Sequence, residues 1–315
     1  MPKRKNKTRN PIADYLVYVA LRLFETVVHI LGVSTSYAIA RFFGDLMYKF
    51  DRKHRRIAME HLRRSFPDWD EPRRAKVARE CCHELMFFGL ELMLTTRLVN
   101  LWRWKRYIRL RDMSEPLRMV IERERGMIFL TGHYGNFEVA GYTMATLGLP
   151  TVSVARMQDN RYLNEHLLGI RQKKGQTILD KKGATAEIPN LLQQGEVVCL
   201  VADQDAGRKG VFVDFFGRKA STYKSFGLMA MNFNVPVVVG YGRRLGDTYK
   251  FEVGVQRIIQ PEEWADKDDP LRWITEQYTH ALEDIVREQP GQYWWFHRRW
   301  KHRPRGEQQP KDGIA

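Results

Sequence analysis

Residues 127–138 read Met127-Ile128-Phe129-Leu130-Thr131-Gly132-His133-Tyr134-Gly135-Asn136-Phe137-Glu138. The opening apolar and β-branched run shows no polar alternation, which suits a strand buried on both faces. Gly132 ends it, and Gly135-Asn136 permits a tight turn into an apolar stretch suited to a helix. Short runs of the same texture recur at 150–155, 197–202, 235–241 and 250–255, separated by stretches long enough for helices. That alternation predicts an α/β fold with a central, mostly parallel sheet flanked by helices. Ligands of such sheets bind beyond the carboxyl ends of the strands, so the residues just past each run are the candidates for chemistry.

His133 stands just past the first strand end, and Glu138 falls in the first turn of the helix after it. The spacing alone carries no information in a chain with 9 histidines and 37 acidic residues, and His302 with Glu307 repeats it by chance. Its position gives it meaning. The turn would bring the Glu138 carboxylate back toward the imidazole, fix its tautomer and stabilise the imidazolium formed on proton uptake. No Gly-x-Ser-x-Gly elbow occurs and no cysteine lies near His133 in sequence. The nucleophile would then be a substrate hydroxyl, with His133 as general base. Free N–H groups at the helix start beyond His133 could hold a developing oxyanion. The plainer alternative is a histidine that bonds a neighbouring loop.

The second strand end supplies Arg156, then Asn160, Arg161 and, further on, Arg171; a guanidinium at a strand terminus suits bidentate capture of phosphate or carboxylate. The third supplies Asp203-Gln204-Asp205 before Gly207, which either positions hydroxyls of a substrate or caps its own turn. Phe212 to Thr222 mixes phenylalanines with Arg218 and Lys219. It reads as an apolar slot with a cation at its mouth, fit for an acyl chain on a phosphate-bearing carrier, or simply as core. Residues 293–305 read Tyr293-Trp294-Trp295-Phe296-His297-Arg298-Arg299-Trp300-Lys301-His302-Arg303-Pro304-Arg305. Aromatic and cationic side chains together suit a membrane interface through Trp294, Trp295, Arg298, Arg299 and Trp300, single-stranded nucleic acid, or packing on the core.

Upstream, basic residues at 3–9 precede an apolar stretch from Ile12 to Phe50 that is interrupted by Asp14, Arg22, Glu25, Arg41 and Asp45. Its longest uncharged run, Thr26 to Ala40, is about 15 residues, short of the roughly 20 a spanning helix needs. Two amphipathic helices in the membrane interface, or a soluble helical hairpin on the core, both fit. A helix is expected to follow Pro72 as far as about Leu98, with Cys81 and Cys82 on or beside its apolar face. The resulting division is a membrane-associating arm at 1–50, a helical segment at 51–120, an α/β core at 121–303 and a frayed tail at 304–315. The net charge of +15 over 315 residues calls for an acidic partner or surface, and adjacent cysteines with one distant third argue against disulfides.

Taken together, Gly-His133-Tyr-Gly-Asn-Phe-Glu138, Arg156 with Asn160, Asp203-Gln204-Asp205, Phe215-Phe-Gly-Arg-Lys-Ala-Ser-Thr222 and Tyr293-Trp-Trp-Phe-His-Arg-Arg-Trp-Lys301 resemble the bacterial late lipid A acyltransferases, within the glycerolipid and lysophospholipid acyltransferase superfamily. The resemblance implies transfer of an acyl group from a thioester on acyl carrier protein, or on coenzyme A in some relatives, to a hydroxyl of a membrane phosphoglycolipid. The implied place is the cytoplasmic face of the inner membrane. It implies His133 as base with Glu138 behind it, Gly135 and Asn136 or Arg156 at the oxyanion, and substrate contacts from Asn160, Arg171, Asp203, Gln204, Asp205 and Lys219. No metal, nucleotide or acyl-enzyme is implied, and no nucleic acid partner. Met157 and Arg161 stand where such relatives often carry proline, which leaves the acceptor less defined than the chemistry. The rival reading from another class is a non-enzymatic binder of RNA or anionic membrane, whose signature is salt-sensitive binding without thioester consumption.

Overall fold

The structure is a computed structural model, and it describes residues 10–123, 125–149 and 151–307. The basic cluster at 3–9 and the tail beyond residue 307 lie outside the described residues. The element order is α1 (Pro11–Phe50), α2 (Arg52–Ser65), α3 (Glu71–Leu98), α4 (Trp104–Tyr107), β1 (Ile108–Arg111), α5 (Ser114–Glu122), β2 (Met127–Thr131), α6 (Phe137–Thr146), β3 (Thr151–Ala155), α7 (Arg161–Gln172), β4 (Thr177–Asp180), α8 (Ala184–Gln193), β5 (Val197–Val201), β6 (Val211–Phe215), β7 (Arg218–Thr222), α9 (Lys224–Phe233), β8 (Val237–Arg244), β9 (Phe251–Ile259) and α10 (Pro270–Glu288). Seven strands form one sheet in the order β1-β9-β8-β2-β5-β3-β4. All neighbours run parallel except β8 and β9, which pair antiparallel. The expected α/β fold with a mostly parallel sheet is what the chain adopts.

The five expected strands are present as β2, β3, β5, β8 and β9. Two edge strands and a hairpin were not anticipated. β1 lies inside the stretch expected to be helical, so the sheet begins before residue 121. β6 and β7 form a separate two-stranded hairpin. One face of the sheet is packed by α2, the first half of α3, α8, α9, α10 and the C-terminal aromatics, and the other by the second half of α3, α5, α6 and the second half of α1. Pro72 sits in the first turn of α3, Asp70 caps it, and Cys81 and Cys82 are buried on it.

α1 is broken at Gly32, whose φ of 76° and ψ of 173° leave the helical region. The half before the break lies along α7. Asn160 donates to the Asp14 carbonyl at 2.9 Å, Tyr15 meets Tyr162 edge-on at 5.2 Å, and His166 reaches Glu25 at 3.3 Å. Glu25 and the Asp14 carbonyl thus turn inward, and the outer side exposes Ile12, Leu16, Leu23, Val27 and Ile30. The half after the break packs on α3, where Tyr37 donates to Glu91 at 2.7 Å. By length and hydropathy the helix as a whole is apolar enough to cross a bilayer. Its inner side is already occupied by protein.

Candidate active site

β2 and β5 are neighbours, with Thr131 opposite Val201 in the parallel register. Continuing that register by two residues sets His133 beside Asp203. Asp203 meets both polar edges of the histidine: the backbone N–H of His133 donates to Oδ2 at 2.8 Å, and Nδ1 lies 2.7 Å from Oδ1. Burial would push the Asp203 carboxyl up, but the charge and hydrogen bond of His133, with His297 behind, hold it well below the usual carboxylate range. An ionised acceptor on Nδ1 places the ring hydrogen there and leaves the Nε2 lone pair free.

Glu138 does not turn back to His133. Both its carboxylate oxygens pair with one edge of the Arg171 guanidinium, Nε donating to Oε2 at 2.8 Å and Nη2 to Oε1. The expected His133–Glu138 pair is therefore replaced by His133–Asp203 and Glu138–Arg171. The cause lies in the connecting turn. Gly135 donates to the Gln292 carbonyl at 3.0 Å and Asn136 to the Gly242 carbonyl at 2.7 Å, so the chain is pulled toward β8 before α6 begins. Gly135 has φ 53°, and a Cβ there would stand 2.2 Å from the Gly242 carbonyl oxygen, so only glycine fits.

Those two N–H groups are thereby spent and unavailable to an oxyanion. Among the described residues, the N–H groups of Phe137 and Glu138 in the first turn of α6 meet no acceptor, as expected of a helix start. Asn136 is a buried cap: its Oδ1 accepts from Val139 at 3.1 Å and its amide donates to Glu91 at 2.8 Å. Asn160 likewise caps α7, accepting from Leu163 at 3.1 Å. Asp205 bonds His302 at 2.6 Å and the Gly207 N–H at 3.1 Å, the turn-capping alternative. Arg156 is exposed two strands away beyond β3, 3.6 Å from Asp159. Lys219 pairs with Asp214 across the hairpin at 2.8 Å, and Phe215 and Phe216 beside it are buried core.

An apolar cavity lies instead under α5 and α6 on the sheet's other face, with a volume of about 110 Å³. Thr131, Phe137 and Glu138 line the end near His133, while Met127, Val197 and Leu117 line the far end. β2 runs its length, roughly 13 Å at about 3.3 Å per residue. Cys199 lines it as well, and burial pushes that thiol up to about 12, which leaves it protonated and inert at neutral pH.

On the opposite side of His133 a basic cleft is lined by Lys53, His54, Gln204, His297, Arg298 and Arg299. The Gln204 amide approaches Nε2 of His133 at 3.5 Å. The His297 ring stands 4.3 Å from the His133 ring, and Trp294 flanks it at 5.2 Å. Burial, then the neighbouring His133, pushes His297 down to about 4, so it is neutral at neutral pH. His297 was missed as a site residue; its place in a run of aromatics and arginines hid it. Three of the five residues expected at a lipid contact belong to the core instead. Trp295, Trp300 and Arg299 are 0%, 1% and 2% exposed, which removes them both from a membrane face and from any base-stacking platform. Trp294 walls the histidine, and Arg298, Lys301 and Arg305 are exposed.

A family model described as bacterial lipid A biosynthesis acyltransferase matches residues 1–302. The lipid A biosynthesis lauroyltransferase of Escherichia coli (strain K12) is 27% identical over 267 residues, covering 84% of each chain. The lipid A biosynthesis palmitoleoyltransferase of the same organism is 25% identical over 269 residues, again covering 84% of each. A lipid A biosynthesis acyltransferase of Haemophilus influenzae is 23% identical over 259 residues, covering 81% of this chain and 78% of its own. With a buried histidine–carboxylate pair set between an apolar cavity and a cationic cleft, and a family match over nearly its whole length, this chain belongs to the bacterial lipid A biosynthesis acyltransferases.

Proposed function

We propose that His133, oriented by Asp203, is the general base that moves a fatty acyl group from an acyl thioester to a hydroxyl of a lipid A precursor. The observation that carries this reading is the position of His133: Nδ1 is committed to Asp203, and Nε2 approaches Gln204, which with His297 lines the basic cleft from which a hydroxyl would arrive. The acyl chain enters the cavity under α6, with its thioester carbonyl at the Phe137–Glu138 end. The acceptor hydroxyl attacks that carbonyl carbon as its proton passes to Nε2. The oxyanion so formed accepts from the N–H groups of Phe137 and Glu138. Its collapse breaks the carbon–sulfur bond, and the imidazolium returns the proton to the departing thiolate.

Acyl carrier protein is the donor favoured by the charge, since an acidic carrier meets a chain of +15; acyl coenzyme A is the alternative. Both are cytoplasmic, which sets the site on the cytoplasmic face of the inner membrane, with α1 lying in the interface on its exposed apolar side. The test is an assay of purified protein with carrier protein loaded with lauroyl, myristoyl or palmitoleoyl chains and a panel of hydroxyl-bearing lipids, read by mass spectrometry. Transfer to a lipid A precursor is expected; thioester left intact with every acceptor overturns the reading.

The far wall of the cavity sets the chain it accepts. Leu117→Trp is expected to shift preference toward shorter chains, cutting kcat/KM for the longest by roughly tenfold or more, the scale of a few displaced methylenes. Equal losses for short and long chains would place the acyl group elsewhere.

Glu138 acts here through Arg171. Glu138→Ala is expected to lower activity by about two orders of magnitude, and Arg171→Ala similarly. The double variant Glu138→Ala/Arg171→Ala is expected to be no worse than the single ones. Losses that multiply would mean that Glu138 serves His133 independently.

A further inference from the structure

Two large apolar side chains stand in water on the turn between α3 and α4: Leu101 is 60% exposed and Trp102 is 93% exposed. The turn holding them is firm. The N–H groups of Trp102 and Arg103 both donate to the Asn100 side chain at 3.1 Å, and those of Arg103 and Trp104 reach the Asn100 carbonyl at 3.1 and 2.9 Å. Trp104 and Tyr107 anchor its base by packing into the core cluster that also takes Val33. Two exposed apolar residues are thus displayed by a built support, at a cost in hydration that nothing in the fold repays.

The chain on either side of them carries charge of one sign, although Arg109 and Arg111 are paired with Glu252 and Asp112. No aspartate or glutamate occurs between Glu91 and Asp112, while Arg97, Arg103, Lys105, Arg106, Arg109 and Arg111 fall in that interval. Arg97, Arg103, Lys105 and Arg106 are all exposed. Among the described residues the last three meet no carboxylate; Lys105 and Arg106 lie over the rings of Trp104 and Tyr107 at 5.7 and 5.8 Å. The turn is also continuous with the arm. Arg97 donates to the His29 carbonyl at 2.8 Å, next to Ile30 and Leu31, which belong to the exposed apolar side of α1.

We propose that the turn 100–106 is a second membrane contact, placing Leu101 and Trp102 below the headgroups of an anionic leaflet while Arg103, Lys105 and Arg106 hold lipid phosphates. An indole at the tip suits the interfacial layer, and the long cationic side chains reach upward from it. A bilayer fits better than a protein partner because the patch extends an apolar helix face already suited to lipid. The turn and the arm together form a two-point attachment that fixes how the core tilts over the bilayer. The inference uses the membrane association of α1 and is independent of the acyl-transfer chemistry.

The test uses full-length protein and vesicles of phosphatidylcholine with or without phosphatidylglycerol. Leu101→Ser/Trp102→Ser is expected to weaken partition onto anionic vesicles by about tenfold. Arg103→Gln/Arg106→Gln is expected to weaken it on anionic vesicles alone. Both pairs should melt like the parent protein and transfer acyl groups at the parental rate in detergent micelles, which separates membrane docking from chemistry. Trp102→Cys carrying an environment-sensitive fluorophore gives a direct reading, since Cys81 and Cys82 are buried and Cys199 faces the cavity. The label should shift to the blue on vesicles and be quenched by nitroxide lipids of shallow depth. A label that stays open to aqueous iodide on vesicle-bound protein, or unchanged partition of the serine variant, overturns the proposal.

Discussion

Asp203→Asn is expected to slow acyl transfer by about three to four orders of magnitude with the fold intact, the scale lost when the carboxylate behind a catalytic histidine is amidated. The asparagine oxygen can still accept from the His133 backbone N–H, so the strand end keeps its place. Its NH2 would then face Nδ1, which forces the ring hydrogen onto Nε2. That nitrogen could no longer take a proton from the acceptor. The imidazolium of the transition state would also lose its neighbouring negative charge, which in the parent protein is ionised throughout the neutral range. The rate of thioester consumption on purified Asp203→Asn, with its melting temperature alongside, checks this. If this variant retained a tenth of the parental rate while Glu138→Ala were dead, Glu138 would be the histidine's partner during turnover.

The second large effect concerns stability. Trp295→Ala should cost about 3–5 kcal/mol, the range for removing a large buried aromatic. The indole packs against Phe66 at 5.8 Å, Phe216 at 5.3 Å and Tyr293 at 5.0 Å. Its Nε1 donates to the Pro290 carbonyl at 2.7 Å, a part-buried hydrogen bond that the alanine would lose. A lower midpoint in urea with unchanged partition onto vesicles is the expected result. A protein that unfolds like the parent but no longer binds vesicles would put this side chain in lipid rather than in the core.

The strands that cross the middle of the sheet were legible because they are covered on both faces and read as unbroken apolar runs, as Met127 to Thr131 and Val197 to Val201 do. The edges were not. β1 is Ile-Arg-Leu-Arg and β4 is Thr-Ile-Leu-Asp, both half-exposed, and short segments of mixed polarity carry no signal until a neighbour pairs with them. The long helix α3 announced both ends, through Asp70, Glu71 and Pro72 at its start and the loss of apolar spacing after Leu98. In α1, charge spacing alone argued against a spanning helix, but could not show that Arg22 and Glu25 face His166 on α7.

By itself the sequence determined the α/β alternation, the strand end that delivers His133, and the kinship with lipid A acyltransferases, because those depend on local periodicity and on motifs in order. Only the tertiary structure decided which acid stands against the histidine. Asp203 is 70 residues away along the chain, yet it becomes the neighbour because β5 pairs with β2, and strand order is set by how the helices cover the sheet rather than by any local pattern. The same holds for the C-terminal aromatics. Their composition suits lipid, nucleic acid or core alike, and burial beneath α2 and the β6–β7 hairpin, with Trp300 donating to the Phe215 carbonyl and His61 bonded to the Trp295 carbonyl, is a matter of which surfaces the fold brings together.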